Sequence, residues 1–308
     1  MQRDGTANGT NRSVWSRAFD PASGWGAIEA IQSFNPTAIS GELHVGVDAS
    51  GRATAVWSHD PDGPASQTVS IYANRHVPGS GWGTPARIGG DTTAIFQTRV
   101  VVTPNGTAVA LWGGLGSSLW SSQSSDGGAW SSPAELVKAE RLRRGAFLYD
   151  VAMNANGEGL LAWRDFQSDG RIDTYAIKAK RFLQGAWQTP DLLVEEVSAA
   201  EDQLRPKVAI SAQGHSVIAW QPRDESLRAA VGLSGQAWSV SVVKPADGLT
   251  LVDSEFRLQV GIDALGNAMV AWTQRTNATN PDLYINRYTP AGVWGGASLH
   301  ENLTGVAE

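Results

Sequence analysis

Short apolar runs alternate with turns along this chain, and the same arrangement recurs at a nearly constant spacing. A first apolar run, a turn of small residues ending in Gly, and a second run ending in Trp appear five times. The five copies are HVGVDASGRATAVW (44–57), RVVVTPNGTAVALW (99–112), DVAMNANGEGLLAW (150–163), KVAISAQGHSVIAW (207–220) and QVGIDALGNAMVAW (259–272). Their closing Trp residues are separated by 55, 51, 57 and 52 positions. Because self-similarity at such a period is typical of repeat architectures, the pattern predicts one supersecondary unit written several times.

Each repeat predicts four short strands, which we label A to D. Strand A is the run before the Gly turn, strand B ends in the closing Trp, and strand C is the alternating segment that follows, as in VSIYANR (69–75). Strand D begins at a second Trp series, which consists of Trp82, Trp130, Trp187, Trp238 and Trp294. Strand A carries few charges, as expected for a strand that is buried on both faces. Four short strands in about 50 residues are typical of a β-propeller blade.

The repeats therefore predict an all-β protein, a β-propeller with five complete units and an incomplete N-terminal unit. Segment 13–26 (SVWSRAFDPASGWG) matches 70–83 (SIYANRHVPGSGWG), so the chain is expected to open in strand C of an earlier unit. A six-bladed ring is favoured, and a five-bladed ring with an extra hairpin is the alternative. Either upstream sequence is missing, or the half blade pairs with a segment outside this chain. One propeller domain is expected over 1–308, with units over 1–40 (partial), 41–95, 96–146, 147–203, 204–255 and 256–308.

Composition narrows the partners and the chemistry. The chain has 24 Lys and Arg against 30 Asp and Glu, a formal charge of −6, so generic attraction to nucleic acid is not expected. No apolar stretch reaches the roughly 20 residues that span a bilayer, and no apolar run follows the N-terminal charges, so neither membrane insertion nor a signal peptide is predicted. The absence of Cys excludes disulfides and thiol chemistry. The five His show no metal-ligand spacing, and no phosphate-binding loop is present, so no metal or cofactor is expected.

The repeats resemble the sialidase-like, Asp-box (BNR-type) β-propellers found in secreted bacterial proteins. The family's turn motif is Ser-x-Asp-x-Gly-x-x-Trp between strands C and D, and 124–130 (SSDGGAW) is a single, one-residue-shorter version of it. In that family the Asp box is a structural turn far from the active site. The resemblance implies the propeller fold and a secreted or cell-envelope location, with a cytoplasmic location as the alternative.

The candidate ligand-binding residues lie where the chain enters strand A and leaves strand B, because these positions differ most in chemistry between repeats. Repeat proteins keep core positions constant while binding positions diverge, so these residues are expected to ring one mouth of a central channel. They are Glu42, His44, His59, Arg99, Asp150, Arg164, Arg205, Lys207, Arg257 and Gln259. The alternative is that they are solvated loop ends with local ion pairs. Both Trp series, with Trp15 and Trp120, are expected to pack between blades.

Some of these residues are also candidates for catalysis. Arg99, Arg205 and Arg257 are placed to converge on an anion, since guanidinium presents a fork suited to carboxylate. The sialidase resemblance implies an arginine triad, a Tyr–Glu nucleophile pair and an Asp acid/base, and Tyr149 with Asp150 lies at a comparable strand entrance. The family's Arg-Ile-Pro segment is absent from this chain. The catalytic candidates are Glu42, Asp60, Tyr149, Asp150 and Asp165.

The leading hypothesis is a non-catalytic binding propeller that recognises a carbohydrate or a protein partner through the polar mouth of its channel. The first alternative is a carbohydrate-active enzyme, either a sialidase-like glycoside hydrolase or a polysaccharide lyase. The second is a structural repeat domain of a larger protein. One propeller scaffold hosts all three, so the fold alone does not separate them.

Overall fold

The computed structural model describes residues 2–3, 12–32, 39–60, 69–92, 97–113, 118–138, 149–168, 173–197, 205–222, 224–233, 237–247, 258–275 and 281–301. These residues form strands and turns without a helix, and so they include no helix that could cross a bilayer. The chain divides into two compact units, Met1–Phe147 (unit 1) and Leu148–Glu308 (unit 2).

Unit 1 contains a two-stranded hairpin and two larger sheets. Its strands are β1 (Gln2–Arg3), β2 (Arg12–Ser13), β3 (Trp15–Asp20), β4 (Gly24–Ala30), β5 (Ile39–Val47), β6 (Ala53–Asp60), β7 (Val69–Val77), β8 (Gly81–Trp82), β9 (Ala86–Thr92), β10 (Gln97–Val102), β11 (Ala108–Gly113), β12 (Leu119–Ser124) and β13 (Ala134–Val137). We name β3–β4 the N-terminal hairpin, β5–β9 blade 1 and β10–β13 blade 2. Strands β1 and β2 extend blade 1, because β2 pairs in parallel with β5.

Unit 2 contains three sheets. Its strands are β14 (Tyr149–Met153), β15 (Gly159–Ser168), β16 (Asp173–Leu183), β17 (Ala186–Trp187), β18 (Leu192–Val197), β19 (Lys207–Ile210), β20 (Ser216–Trp220), β21 (Leu227–Gly232), β22 (Ser239–Lys244), β23 (Leu258–Ile262), β24 (Ala268–Arg275), β25 (Pro281–Thr289), β26 (Val293–Trp294) and β27 (Ser298–Glu301). We name β14–β18 blade 3, β19–β22 blade 4 and β23–β27 blade 5.

The predicted four-strand repeat is confirmed in all five blades. Strands A, B, C and D pair antiparallel in chain order, so neighbours in sequence are neighbours in the sheet. In blades 1, 3 and 5 strand D has two pieces, a short one at the second Trp and a longer one after it. The closing Trp of strand B faces a residue of strand C across the ladder: Trp57 faces Tyr72, and Trp112 faces Trp120.

The turn between strands A and B needs its glycine. Gly51 has a φ of 79° and donates its N–H to the Asp48 carbonyl at 3.1 Å. A side chain is strained in this left-handed region, which glycine adopts freely. The glycines at the same position of the other repeats also have positive φ: Gly106, Gly157, Gly214 and Gly266.

The N-terminal hairpin has the predicted place of strands C and D of an incomplete repeat. Strand β3 pairs with β4, and Phe19 lies opposite Trp25. The hairpin is fastened to blade 1, since Trp82 Nε1 donates to Ser16 Oγ at 2.6 Å and Asn74 Nδ2 donates to the Ile31 carbonyl at 2.8 Å. Trp15 is 39% exposed, so it is packed only in part.

The core of each unit lies between successive sheets, and the closing Trp residues are its largest members. In unit 1, Trp57 packs with Val14 and Ile31 of the preceding hairpin. In unit 2, Trp220 packs with Ile177 of the preceding blade. All five closing Trp side chains are 2% exposed or less, which confirms their predicted packing role. Burial of such large apolar surfaces supplies the main favourable term for joining one blade to the next.

Candidate functional site

Three predicted ligand-binding residues of unit 1 meet along the edge where β5 of blade 1 lies beside β10 of blade 2. Glu42 Oε2 accepts a hydrogen bond from the Thr98 N–H at 3.0 Å, and His44 Nδ1 accepts one from the Val100 N–H at 3.3 Å. Arg99 Nη1 donates to the Thr98 carbonyl at 2.9 Å. The outward N–H groups of an edge strand need acceptors, and here the side chains of the neighbouring blade provide them. We call this contact the β5–β10 seam.

The environment of His44 favours its neutral form. Burial lowers the pKa of His44 below its ordinary value, and the nearby charge of Arg99 lowers it further. A neutral imidazole keeps the lone pair that accepts the Val100 N–H. His44 is therefore a structural acceptor in this seam.

The two residues predicted at the exit of strand B in blade 1 have different environments. His59 is buried, with Nδ1 3.5 Å from Gln32 Nε2 and its ring edge-on to Tyr72 at 5.4 Å between centroids. Burial lowers the pKa of His59, although the charge of Asp60 opposes this effect. Asp60 is the last residue of β6 and is only half-buried. Of this pair, only Asp60 is open to solvent.

Blade 3 repeats the seam arrangement in unit 2. Asp150 Oδ2 accepts a hydrogen bond from the Val208 N–H at 3.1 Å, which ties strand A of blade 3 to strand A of blade 4. Tyr149 is buried opposite Trp163. Arg205 and Lys207 lie half-buried at the start of β19, next to Val208. The structure therefore brings Asp150, Arg205 and Lys207 to one end of these strands.

The predicted residues at the exit of strand B in blade 3 are buried. Asp165 is 2% exposed, and its Oδ2 lies 3.2 Å from Lys178 Nζ. Its Oδ1 accepts a hydrogen bond from Trp163 Nε1 at 3.4 Å. Arg164 is also buried, with its guanidinium 5.4 Å from the centre of the Tyr175 ring. These contacts hold Asp165 and Arg164 within the blade.

Asp165 also lines a cavity of about 430 Å³ in unit 2. Tyr175, Lys178, Asp191 and Glu196 contribute to its walls. Of the remaining predicted residues, Gln259 is exposed on β23, and Arg257 lies outside the described residues. In the described part of the chain, no three His, Cys, Asp or Glu side chains are grouped so that they would hold a metal ion.

A second cavity lies between blade 1 and blade 2, away from the predicted residues. Its volume is about 540 Å³, within the usual range for small-ligand sites. We call it the tryptophan pocket. It is lined by Arg87, Ile88, Gly89, Gly90, Trp112, Trp120, Trp130, Ser131, Ser132 and Pro133. Trp112 is buried at the base, Trp120 and Trp130 are half-buried, and Arg87 is exposed.

A glycine on strand D lets the Trp112 ring lie against the backbone beside this pocket. Gly89 of β9 pairs with Ile71 of β7, and a Cβ at Gly89 would lie 2.3 Å from Trp112 Cζ2. The residue at the same register position in blade 3 is Glu195, which pairs with Ile177. The Glu195 carboxylate reaches across to Trp220 and Arg228 of blade 4.

The contacts of Glu195 show how a cleft of this repeat is closed. Glu195 Oε2 accepts from Trp220 Nε1 at 3.2 Å, and Glu195 Oε1 accepts from Arg228 Nη1 at 2.7 Å. In blade 2 the equivalents of Trp220 and Arg228 are Trp112 and Trp120, which lie opposite each other in the ladder. The combination of Gly89 and Trp120 thus replaces an ion pair by an open, indole-lined space.

Trp130 also differs from its counterpart in blade 3. In blade 3, Trp187 packs on Phe182 with ring centroids 5.1 Å apart. The residue at the position of Phe182 in blade 2 is Ser124, whose hydroxyl donates to the Gly128 carbonyl at 2.6 Å. Ser124 offers no ring for Trp130 to pack on, and Trp130 forms a wall of the pocket instead.

Sequence reasoning assigned Trp120 and Trp130 to packing and missed this pocket. The available signals were a Gly-Gly pair within strand D and a Trp outside both regular series. Neither is informative alone, because glycine and tryptophan are common throughout this chain. Only the register places Gly89 of one blade against the indoles of the next.

Comparison with solved structures identifies proteins of similar fold. A lectin from Burkholderia pseudomallei, BP39L, has a TM-score of 0.54 and 14% identity, with 90% of this chain and 75% of the lectin covered. The polysaccharide lyase PL25, an ulvan lyase, has a TM-score of 0.53 and 13% identity, with 86% and 71% covered. A Hadza microbial sialidase, Hz136, has a TM-score of 0.46 and 11% identity over 84% of this chain, which spans 58% of the sialidase's length.

The likenesses to the lectin and the lyase concern the fold. No protein-family model matches the sequence, and no curated protein matches it significantly. Together with the consecutive four-stranded sheets, the two structures with TM-scores above 0.5 support the predicted architecture. The chain is an all-β protein with a β-propeller fold, and its resemblance to sialidase-like propellers is confirmed at the level of that fold.

Proposed function

We propose that this protein is a carbohydrate-binding propeller and that the tryptophan pocket is its sugar site. The observation that carries the proposal is the convergence of three indoles on one cavity beside an exposed guanidinium. Indole faces pack against the C–H surfaces of a sugar ring, and a few polar groups then fix its orientation. Arg87, Ser131 and Ser132 are the polar residues that line the pocket.

The similar structures support a carbohydrate-related role. One is a lectin and the other is a polysaccharide lyase, so both of these proteins act on carbohydrate. The identities of 14% and 13% carry over only the fold, and the proposal for this chain rests on its own pocket.

The contacts of the candidate catalytic carboxylates support binding over cleavage. The carboxylates of Glu42 and Asp150 accept hydrogen bonds from main-chain N–H groups of the next blade. Asp165 is buried beside Lys178 and Trp163. A general acid or base must reach the reacting atoms of a substrate. All three groups have partners within the fold, and Asp165, which also lines a cavity, is only 2% exposed. Turnover of aryl glycosides or of acidic polysaccharides would restore the enzyme hypothesis.

The polar channel mouth stays a prediction as a second binding surface, for a glycan or for a protein partner. To test it, Arg99 and Arg205 are each replaced by Ala. Glycan and partner binding by these variants is then compared with binding by the tryptophan-pocket variants described below. Loss of partner binding in Arg99→Ala with an intact tryptophan pocket would locate a partner site at the β5–β10 seam. Secretion or attachment to the cell envelope is likewise a proposal, which fractionation of the native host would test.

The first experiment is a glycan screen of the purified chain, followed by titration with the best sugars using intrinsic tryptophan fluorescence. We expect Trp120→Ala and Trp130→Ala each to weaken binding by about tenfold or more, because each removes a stacking face. Trp187→Ala is the matched control, since it removes a Trp of the same series from unit 2, remote in sequence from the pocket.

The control separates loss of the site from loss of the fold. Trp187→Ala is expected to bind sugars as the parent protein does, and circular dichroism checks that all three variants are folded. A folded Trp120→Ala variant with parental sugar affinity would show that the pocket is not the site. Absence of binding to every glycan would overturn the proposed function itself.

A further inference from the structure

The N-terminal hairpin leaves one edge of β3 without a partner strand in the described part of the chain. In each of the five blades, strand C pairs with strand B on one side and with strand D on the other. Strand β3 has the position of strand C, and among the described residues it pairs only with β4, which has the position of strand D. The N–H and C=O groups along an open strand edge are a template for pairing with a further strand.

Apolar side chains of blade 1 are exposed beside this open edge. Val45 of β5 is 52% exposed, whereas Val100 and Val208, at the same position of strand A in blades 2 and 4, are 1% and 8% exposed. The three positions are equivalent, because each pairs with the residue two before the closing Trp. Val100 lies in one core cluster with Val56 of strand B in blade 1, and Val208 with Ala162 of strand B in blade 3. The exposure of Val45 thus marks the place of a strand B that the described residues do not supply.

Neighbouring side chains extend this apolar surface. Leu43 and Val47 of β5 are also exposed, and they lie on the same face of the strand as Val45. Strand β2 meets β5 only at Ile39, outside this stretch. Trp15, at the start of β3, is partly exposed as well. We call Leu43, Val45, Val47, Trp15 and the open edge of β3 the half-blade surface.

The repeats indicate which side chain is suited to pack on Trp15. In blade 1 the closing Trp57 lies opposite Tyr72 of strand C and stacks on it, with ring centroids 6.2 Å apart. In blade 5 Trp272 stacks on Tyr284 in the same way, at 6.0 Å. Trp15 has the position of Tyr72 in the matching sequence of the hairpin. An aromatic residue at the end of an added strand B is therefore expected to stack on Trp15.

We infer that the half-blade surface binds a two-stranded β segment of a separate protein, which supplies strands A and B and completes a blade with the hairpin. Its second strand pairs with β3, its alternate apolar side chains cover Val45, and its terminal aromatic residue stacks on Trp15. A second copy of this chain is not suited to the role, because strands A and B of all five blades are already paired with their own strand C.

The half-blade surface and the tryptophan pocket lie on different sides of blade 1. Asn74 of β7 donates to the hairpin, whereas Ile71 of the same strand packs in the core shared with blade 2. The inference therefore stands whether or not the pocket binds sugar.

The test uses a peptide with the sequence of residues 44–60, which contains strands A and B of blade 1. Fluorescence anisotropy of the labelled peptide is expected to show saturable binding, and hydrogen exchange is expected to slow at the backbone N–H groups of β3. Val45→Glu in the protein is expected to weaken binding by about tenfold or more, because the added strand would bury a carboxylate. Trp57→Ser in the peptide is expected to weaken binding by about fivefold or more, because the stacking on Trp15 is lost.

Val242→Glu is the matched control, because Val242 of β22 is 54% exposed and belongs to unit 2. This variant is expected to bind the peptide as the parent protein does, and thermal unfolding checks that both variants are folded. Absence of peptide binding by the parent protein would overturn the inference. Binding that Val45→Glu does not weaken, or slowed exchange confined to strands other than β3, would overturn the assignment to the half-blade surface. A dimer that Val45→Glu dissociates in light scattering would show that a second copy covers this surface, which would also overturn the inference.

Discussion

At the scale of single residues, Gly89 decides what the cleft between blade 1 and blade 2 contains. Other blades carry a side chain at this register position, namely Glu195 in blade 3 and Lys244 in blade 4. Lys244 is buried, and its Nζ lies 2.6 Å from Oδ1 of Asp247. With no side chain at Gly89, the Trp112 ring lies against the backbone and an opening remains above it.

Gly89→Ala is expected to destabilise the protein by about 1–3 kcal/mol, because the added Cβ would lie 2.3 Å from Trp112 Cζ2 and the packed indole must shift. Urea unfolding measures the loss, and the tryptophan emission spectrum reports the displaced ring. Gly261→Ala is the control, since Gly261 also lies in a strand but a Cβ there meets nothing within 4 Å. Equal stability of the two variants would contradict the close packing of Trp112 on Gly89.

At the scale of elements, side chains of one blade complete the edge of the next. Glu42 and His44 of β5 accept N–H groups of β10, and Asp150 of β14 accepts one from β19. Strands β10 and β19 each pair with only one strand of their own blade, so their outward N–H groups need acceptors from elsewhere. Polar residues at the entrance of strand A therefore have a structural role that is repeated in both units.

The β5–β10 seam predicts a loss of stability in acid. The pKa of His44 is lowered from 6.5 in the folded state, chiefly by burial, so the fold favours the neutral ring. Its contribution is complete above about pH 6.5 and is lost as the pH falls through the lowered value. Burial lowers the pKa of His59 as well, so both groups act in the same direction.

His44→Gln tests this prediction, because the Gln amide oxygen accepts the Val100 N–H without titrating. The melting temperature of the parent protein is expected to fall between about pH 7 and pH 5 by more than that of His44→Gln. His300→Gln, at an exposed position of β27, is the control and is expected to keep the parental pH dependence. Identical pH dependence of the His44 variant and the parent would show that the seam does not sense pH.

At the scale of the whole molecule, the same repeat forms two kinds of cleft between successive blades. The cleft between blades 1 and 2 is open and lined by indoles, and the cleft between blades 3 and 4 is closed by Glu195 and Arg228. The backbone register is the same in both, since Ile71 pairs with Gly89 as Ile177 pairs with Glu195. Divergent side chains on a constant scaffold are what a repeat protein uses to place a site in one unit.

The double variant Glu195→Gly and Arg228→Trp is therefore expected to open a second sugar site, in unit 2. The change removes the acceptor of the buried Trp220 N–H together with the ion pair, so it is expected to cost about 1–3 kcal/mol, and circular dichroism checks that the variant is folded. Calorimetry is expected to show one more binding site per chain than in the parent. Arg228→Trp alone keeps Glu195 in the cleft and is the control with parental stoichiometry. A folded double variant with parental stoichiometry would show that these two positions do not determine the site.

The sequence by itself determined the blades and the position of their core. The repeated Gly turn fixes the link between strands A and B, since only glycine enters that left-handed conformation easily, and the closing Trp residues mark the buried face of each sheet. The Gly turn depends on local backbone conformation, and the closing Trp residues recur with the repeat period. Both features can therefore be recognised in the sequence without the tertiary structure.

Only the tertiary structure decided where a cavity suited to a ligand is formed. The polar residues at the entrance of strand A stay predicted ligand-binding residues, and the structure adds that Glu42, His44 and Asp150 accept hydrogen bonds from the next blade. The pocket was not predicted, and it lies where Gly89 of one sheet faces Trp112 of the next. These residues belong to neighbouring blades and are far apart in sequence. A local sequence pattern does not indicate which side chains of two blades contact each other.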